Sequence, residues 1–357
     1  MSKADDAAND LDLPAHGASI LPAVTVDSYN VEIEDDAGFV GDKASKSAFW
    51  EVLDKWRRPL RDAGRDALGK RAGEKIGKRQ LAEVLAEGDP IAAAAVVSAV
   101  DEFANELAKV IRRYLRLKAW RKTGCIVIGG GFSASRLGQL AVARAELLLR
   151  AEGLDIELAF IRNDPDEAGL IGAVHLLPTW MLKGHDGMLA IDIGGTNIRA
   201  GVVKFGKRSA NLAKARVVQV ERWRHGDEEV TRDQAVRKLI RMLRKLAGWA
   251  GEHGIELAPL VGVACPGIIE EDGSIERGGQ NLPGNWEIRS FNLPAAIRAG
   301  MPEIGKEETL VVMHNDAVVQ GLSELPRFRH KKSWAVLTIG TGLGNARYTN
   351  RKPNGGK

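Results

Sequence analysis

Three hydrophobic strands that each run directly into a glycine-rich turn constrain this chain more than any other feature. They are "CIVIGGG" (125–131), "MLAIDIGGTN" (188–197) and "WAVLTIGTGLG" (334–344). A turn without Cβ atoms lets backbone N–H groups come close to a phosphate. A single such turn says little, because glycine also ends strands for steric reasons alone. Three in one chain, two of them carrying a threonine (Thr196 and Thr341), point to phosphate binding. None of the three is G-x-x-x-x-G-K-[ST], which argues against a P-loop protein. "GGGFSA" lacks the G-x-G-x-x-G spacing and its acidic partner, which argues against a dinucleotide-binding fold.

Around these turns the chain alternates strands with helices. Asp89-Pro90 opens a helix with an N-cap and a first-turn proline. Val96, Val100, Phe103, Leu107, Val110 and Ile111 recur along it at helical spacing and mark a core face. Further helices are expected at 133–153, 166–177, 231–250 and 294–300. Strands are expected at 125–129, 155–161, 188–205 (strand, tight turn, strand), 215–223, 259–265, 309–313 and 334–339, with an alternating edge strand within 22–34. This is the pattern of an α/β protein with mixed sheets. Residues 46–80 are basic and broken by Gly and Pro. They read as a solvated helix and loop, not a nucleic-acid arm, because aromatics are not interleaved with the charges. No internal repeat is legible in the spelling.

Composition narrows the functional classes. The 357 residues are 44% hydrophobic and 27% charged, enough for two domains with real cores. A formal net charge of +4 suits an anionic small ligand and does not call for nucleic acid. Cys125 and Cys265 are too far apart in sequence to suggest a disulfide framework or a cysteine-based zinc cluster. The longest apolar run, 91–100, is too short to cross a bilayer, and the acidic start does not read as a signal peptide. A cytoplasmic protein with no membrane partner is expected. "MSKADDAANDLD" reads as a disordered acidic tip, since residues 1–36 hold nine Asp/Glu against one Lys.

Two carboxylates stand out. Asp192 lies inside an apolar strand, two residues before a glycine turn. Burying a carboxylate is costly unless it is paired. It either caps its own turn or faces Mg²⁺ beside a bound phosphate. Asp316, in "HNDAVVQGL", stands where a helix opens and reads first as its N-cap.

"DIGGTNIRAGVV" resembles the first phosphate motif of the sugar-kinase, actin and Hsp70 superfamily, and within it the ROK family (repressors, open reading frames and sugar kinases). "VGVACPGIIEEDGSIERGGQNLPGNWE" (261–287) is similar to the ROK stretch with its Pro-Gly turn and sugar-binding Asn-Leu. "VVMHNDAVVQGLSE" (311–324) is similar to the segment with the catalytic aspartate, and "LTIGTGLGNA" (337–346) to the second phosphate motif. "LAEGDPIAAAAVV", "CIVIGGGFSASRLG" and "DEAGLIGAVHLL" resemble segments found towards the C-terminal end of ROK kinases, yet here they precede "DIGGTN". The motif order implies a circular permutation, cut after the hairpin of the second phosphate motif. The family's usual ends would be joined through 178–187. Domain termini often lie close together, which makes such a rearrangement physically cheap. The resemblance spans residues 80 to 350 and is poor before them.

The resemblance implies two ribonuclease-H-like (actin-like ATPase) domains with an interdomain cleft, and ATP-dependent phosphorylation of a sugar hydroxyl. In that picture Asp316 takes the proton from the attacking hydroxyl, while Asn315 and Asn281 hold other hydroxyls. Thr196, Thr341 and the turns Gly194, Gly195, Asn197, Gly340, Gly342 and Gly344 cradle the phosphates. Asp192 lies near Mg²⁺, and Gly129, Gly130 and Gly131 take the adenosine. The implied divisions are an acidic arm (1–45), the family's C-terminal portion (46–177), the linker (178–187), the family's N-terminal portion (188–310), and the catalytic and second phosphate segment (311–357). The family's Gly-Glu-Ile-Gly-His and Cys-rich zinc motif is missing, with only His16 in "PAHGAS" near its place, so no zinc is expected. Glu32, Glu34, Asp35 or Asp36 could substitute for the lost glutamate, but the stretch reads first as a solvated acidic loop. The competing reading is a non-catalytic sugar- or nucleotide-binding regulator of the same family, although no helix-turn-helix stands out in 40–120. The sugar, the choice between ATP and polyphosphate, and a homodimer stay open.

Overall fold

The structure is a computed structural model that describes residues 15–36, 38–206 and 212–352. The expected acidic tip lies outside the described residues. In chain order the main elements are β1 (Val24–Tyr29), α1 (Lys46–Asp62), α2 (Lys78–Glu87), α3 (Pro90–Arg116), β2 (Cys125–Gly129), α4 (Arg136–Ala151), β3 (Glu157–Phe160) and α5 (Ala168–Ala173). There follow β4 (Gly187–Ile193), β5 (Ile198–Lys204), β6 (Arg216–Trp223), α6 (Arg232–Glu252), β7 (Leu257–Cys265), α7 (Leu293–Gly300), β8 (Leu310–Asn315), α8 (Asp316–Leu322), β9 (Ser333–Ile339) and β10 (Leu343–Asn350). They form two compact units. The first comprises residues up to Ala23 with Ala173–Asn315, and the second Val24–Gly172 with Asp316 onward.

The first unit is built on a five-stranded sheet in the order β8-β7-β4-β5-β6. All seven residues of β4 are buried, which is why its sequence is a continuous apolar run apart from Asp192. Strands β4, β5 and β6 are antiparallel neighbours, while β7 and β8 continue the sheet in parallel from β4. Helix α6 starts with a capping box, in which Thr231 and Gln234 each satisfy the other's backbone N–H. It buries Leu239, Leu243 and Leu246 in the core.

Strand β8 is the outer strand on its side, and the segment around His16 covers its edge. Gly17 N–H donates to the Met313 carbonyl at 2.9 Å, and Met313 N–H donates to His16 Nδ1 at 3.1 Å. The segment thus satisfies backbone groups that an open edge would leave unpaired. His16, the lone candidate for the family's zinc histidine, has a structural task here.

The second unit carries a sheet in the order β1-β10-β9-β2-β3. Strands β9, β10 and β1 are antiparallel neighbours, and β2 and β3 extend the sheet in parallel from β9. The plan is that of the first sheet, with β9, β10, β1, β2 and β3 in the places of β4, β5, β6, β7 and β8. Only the chain order differs: the strand equivalent to the third comes first in sequence. Helix α3 opens as expected, with Asp89 accepting from Ile91 and Ala92 N–H at 3.0 Å and Pro90 in the first turn. Its Phe103 meets Phe49 of α1 and Phe132 in an aromatic cluster, with ring centroids 4.8 to 5.7 Å apart. Truncating one such ring to alanine typically costs about 3–5 kcal/mol.

The structure corrects the solvated reading of residues 46–80. Ser45 caps α1 by accepting from Ala48 N–H at 3.2 Å, and Phe49, Trp50 and Leu53 are buried. Arg57 is fully buried as well, bonded to Asp54, Asp66 and the Gly69 and Arg71 carbonyls. Two carboxylates meet its charge and both Nη groups are bonded, with only Nε left without a partner, which is what allows a basic residue into the core.

Candidate functional site

The turn between β4 and β5 is held from below and from the side. Gly194 N–H donates to the Asn197 carbonyl at 2.8 Å. His225 Nε2 lies 2.8 Å from the Gly194 carbonyl, and Gly226 N–H donates to the Thr196 carbonyl at 3.0 Å. Beside this turn is a cleft of about 540 Å³, lined by Gly195, Glu228, Glu229, Thr231, Gln280 and Asn281 among others. Asn281 is exposed, and a Cβ on Gly195 would come within 3.1 Å of the Asn281 Cβ. Carboxylates, amides and a hydroxyl around one cleft are groups that hydrogen-bond sugar hydroxyls. Glu228 accepts from Trp223 Nε1 at 2.8 Å and from Lys238, so it is already part of the wall.

Asp192 is 2% exposed, and its Oδ2 lies 3.4 Å from Arg199 Nη1, directly across the β4–β5 pairing. Arg199 supplies the counter-charge that the sequence alone left to a turn or a metal ion. Among the described residues no group of three or more His, Cys, Asp or Glu side chains could hold a metal.

Strand β8 delivers the next pair of expected residues. Asn315 is buried, and its amide donates to the Gly267 carbonyl at 2.9 Å, in the Pro-Gly turn after β7. Preceding it, His314 is 1% exposed and uses both ring nitrogens. Its Nδ1 accepts from Asn315 N–H at 2.7 Å, which leaves the proton on Nε2, 3.1 Å from the Ala18 carbonyl oxygen. Burial pushes its pKa down to about 4. Asp316 follows as the first residue of α8, half-buried, with Oδ1 accepting from Ala317 N–H at 2.9 Å.

In the second unit the remaining glycine turns stand side by side. Gly129 and Thr338 are register partners in the parallel pairing of β2 with β9, although some 210 residues separate them. The turn after β9 closes with Gly340 N–H donating to the Gly342 carbonyl at 2.9 Å. Thr341 and Gly342 are exposed. Space around these glycines sorts them. Gly130 has φ +85°, and a Cβ there would lie 2.4 Å from the Ile339 carbonyl oxygen, so packing alone requires glycine. Gly129 and Gly344 are similarly crowded, by Ile161 and Thr338. Gly131 and Gly342, in contrast, have nothing within 4 Å of a Cβ position, and at Gly340 the nearest atom is 3.7 Å away. Those three leave a cradle that side chains would fill. A second cleft of about 170 Å³ opens between Gly129, Gly130 and Ser133 on one side and Phe160–Pro165 on the other.

Glu324 shapes that cleft, and motif reading had given it no role. It is 3% exposed, accepts from Arg162 N–H at 2.7 Å, and lies 3.3 Å from Asn163 Nδ2, fixing the loop after β3. His225 similarly braces the first turn. Neither position carries a spacing signal, because each acts on a loop that is remote in sequence. The substitutes proposed for the lost sugar-contacting glutamate lie in the second unit, where Asp35 forms an ion pair with Lys43 at 2.8 Å.

No protein-family model and no curated protein matches this chain. Solved sugar-kinase structures resemble it in part. A candidate sugar kinase from Cytophaga hutchinsonii has 19% identity and a TM-score of 0.35, covering 48% of this chain and 52% of its own. The Lmo2764 protein of Listeria monocytogenes, a candidate N-acetylmannosamine kinase, has 24% identity and a TM-score of 0.32 over 46% of this chain and 47% of its own. The ROK hexokinase from Thermus thermophilus has 19% identity and a TM-score of 0.30 over 44% and 45%. The chain spans about half the length of the solved structures it matches. Each TM-score is below 0.5, so a functional reading rests on this chain's own residues and sheet connectivity.

Proposed function

We propose that this protein is an ATP-dependent sugar kinase of the ROK type with a circularly permuted chain. One observation carries the reading most of the way. The two sheets share a five-strand plan, and each places a glycine turn at the equivalent hairpin, β4–β5 in one and β9–β10 in the other. The permutation draws support from the same comparison. The second sheet has the connectivity of the first with the chain opened between its second and third strands.

In this reading the residues fit a nucleotide by the space they leave. Gly131, Gly340 and Gly342 offer a cradle without Cβ atoms, and Thr341 adds a hydroxyl. Within the second unit the Ser133–Asn163 cleft takes the base and ribose. Within the first, Thr196 and its turn are the candidates for a phosphate, and Asp192, already paired with Arg199, is the carboxylate there that would face Mg²⁺. When bound, MgATP supplies the phosphoryl group. What the chain contributes is alignment and a base, which is most of what phosphoryl transfer asks of a protein. Asp316 takes the proton from the attacking sugar hydroxyl, a step worth on the order of 10²–10⁴ in rate. Asn281 and the polar cleft around it hold the sugar. Asn315 acts chiefly through its bond to Gly267, setting the end of β8 from which Asp316 departs.

The experiment is a screen of hexoses and amino sugars for sugar-dependent ADP release by the purified chain with Mg²⁺ and ATP. Turnover with one sugar class supports the reading. Binding of sugar or nucleotide without turnover on any sugar would favour the regulatory alternative.

A further inference from the structure

Two lysines begin helices for which motif reading offers no function. Lys46 is the first residue of α1 and Lys78 the first of α2. Each is tied to a different glycine turn of the second sheet. Lys46 N–H donates to the Gly340 carbonyl at 3.0 Å, and the Lys78 ammonium donates to the Gly131 carbonyl. Those turns are neighbours, since β2 and β9 pair through Gly129 and Thr338, and Gly130 abuts the Ile339 carbonyl. Both lysines therefore stand at the same end of the sheet, beside the open cradle of Gly131, Gly340 and Gly342.

Their electrostatics are unbalanced. Some basic side chains of this unit are paired, as in Lys55 with Glu102, Lys109 with Glu106 and Arg112 with Glu152, and others point to solvent. Lys78 differs in being drawn down onto a glycine-turn carbonyl beside a second cation. Among the described residues neither Lys46 nor Lys78 has an ion pair. Lys78 is half-buried, and its pKa is lowered first by that burial and then by the charge of Lys46, with Asp166 opposing to a smaller extent. A carbonyl takes up one of the three ammonium donors and offsets none of the charge. Partly desolvating one cation beside another costs stability, and such arrangements concentrate at functional sites. An anion seated at the cradle would remove that cost.

We infer that Lys46 and Lys78 form the cationic grip of a polyphosphate site whose floor is the Gly131 and Gly340–Gly342 turns. The identity of that polyphosphate as a nucleotide's tail rests on the kinase reading; the site itself does not. The glycine turns give room and backbone donors, and the lysines give point charges that reach over them.

Calorimetry with inorganic tripolyphosphate, ATP and adenosine tests this on the full chain and on Lys78→Met, Lys78→Arg and Lys46→Met. Lys78→Met should weaken tripolyphosphate and ATP by roughly ten- to a hundred-fold, as loss of a charged hydrogen bond does, and leave adenosine unchanged. Lys78→Arg should retain most of the affinity, and Lys46→Met should show a smaller loss than Lys78→Met. Lysine-dependent binding of tripolyphosphate with no binding of ATP would identify free polyphosphate as the ligand. The inference is overturned if Lys78→Met binds tripolyphosphate and ATP as tightly as wild type, if adenosine is lost equally, or if the wild type binds neither anion. Lysine-dependent binding without sugar-dependent ADP release would keep the site and remove the kinase. Turnover and ATP affinity indifferent to Lys78→Met would do the reverse.

Discussion

Lowering the pH from 7.5 to 5 should destabilise the first unit through His314, the buried residue two positions before the candidate base. Its folded pKa lies near 4, well below its ordinary value of 6.5. Over that interval the unfolded chain binds the proton and the folded chain does not. Stability is therefore complete above 6.5 and is lost as the pH falls towards 4. From those two values the loss is about 2 kcal/mol at pH 5 and roughly 3 kcal/mol by pH 4. The geometry explains why the proton is refused. Nδ1 already accepts from Asn315 N–H at 2.7 Å, and a second hydrogen there would face that donor. Urea denaturation of wild type and His314→Gln at several pH values between 7.5 and 5 is the assay. Glutamine keeps a donor for the Ala18 carbonyl but leaves Asn315 N–H without its acceptor, so the variant should start about 1–3 kcal/mol lower at pH 7.5. It should then lose less on acidification, and the two curves should converge near pH 5. His16, whose pKa is also lowered by burial and then by Arg298, with Asp272 opposing, adds the same slope to both proteins. Parallel curves, or an imidazole of His314 titrating near 6.5, would refute the reasoning.

Asp316→Asn should cut sugar-dependent turnover by roughly two to four orders of magnitude while nucleotide affinity holds, because it removes only the proton acceptor; equal turnover would remove Asp316 as the base. Gly342→Val should weaken nucleotide binding and leave the melting temperature unchanged, since its Cβ position is open. Gly130→Val should do the opposite to stability, costing about 1–3 kcal/mol or more from φ +85° and the Ile339 carbonyl, and matching melting curves for the two variants would contradict that sorting. Elemental analysis should find no stoichiometric zinc, and one equivalent per chain would mean that residues outside the described set complete a site.

How much of this was legible in the sequence depends on the range of each interaction. Strands, helices and caps are local. Asp89-Pro90, the Val96-to-Ile111 stripe and the three glycine-ended strands announce themselves within a few residues, because period and capping are decided within one or two turns of chain. The candidate site residues Asp192, Asn281, Asn315 and Asp316 were singled out by motif spelling, and so was the segment order on which the proposed permutation rests. Tertiary structure alone decided what those residues touch. Arg199 reaches Asp192 across a strand pair, Asn315 bonds to a carbonyl 48 residues away, and Glu324 fixes a loop 162 residues away. The sequence showed no repeat, yet the two sheets share one plan, because a sheet constrains strand order and burial, not residue identity. It also misjudged the basic stretch 46–80, where Arg57 is buried by partners brought in from the loop that follows its helix. The glycines show the division most clearly. Spelling treats Gly130 and Gly342 alike, but only the fold reveals that the neighbouring backbone forbids a side chain at one and leaves open space at the other.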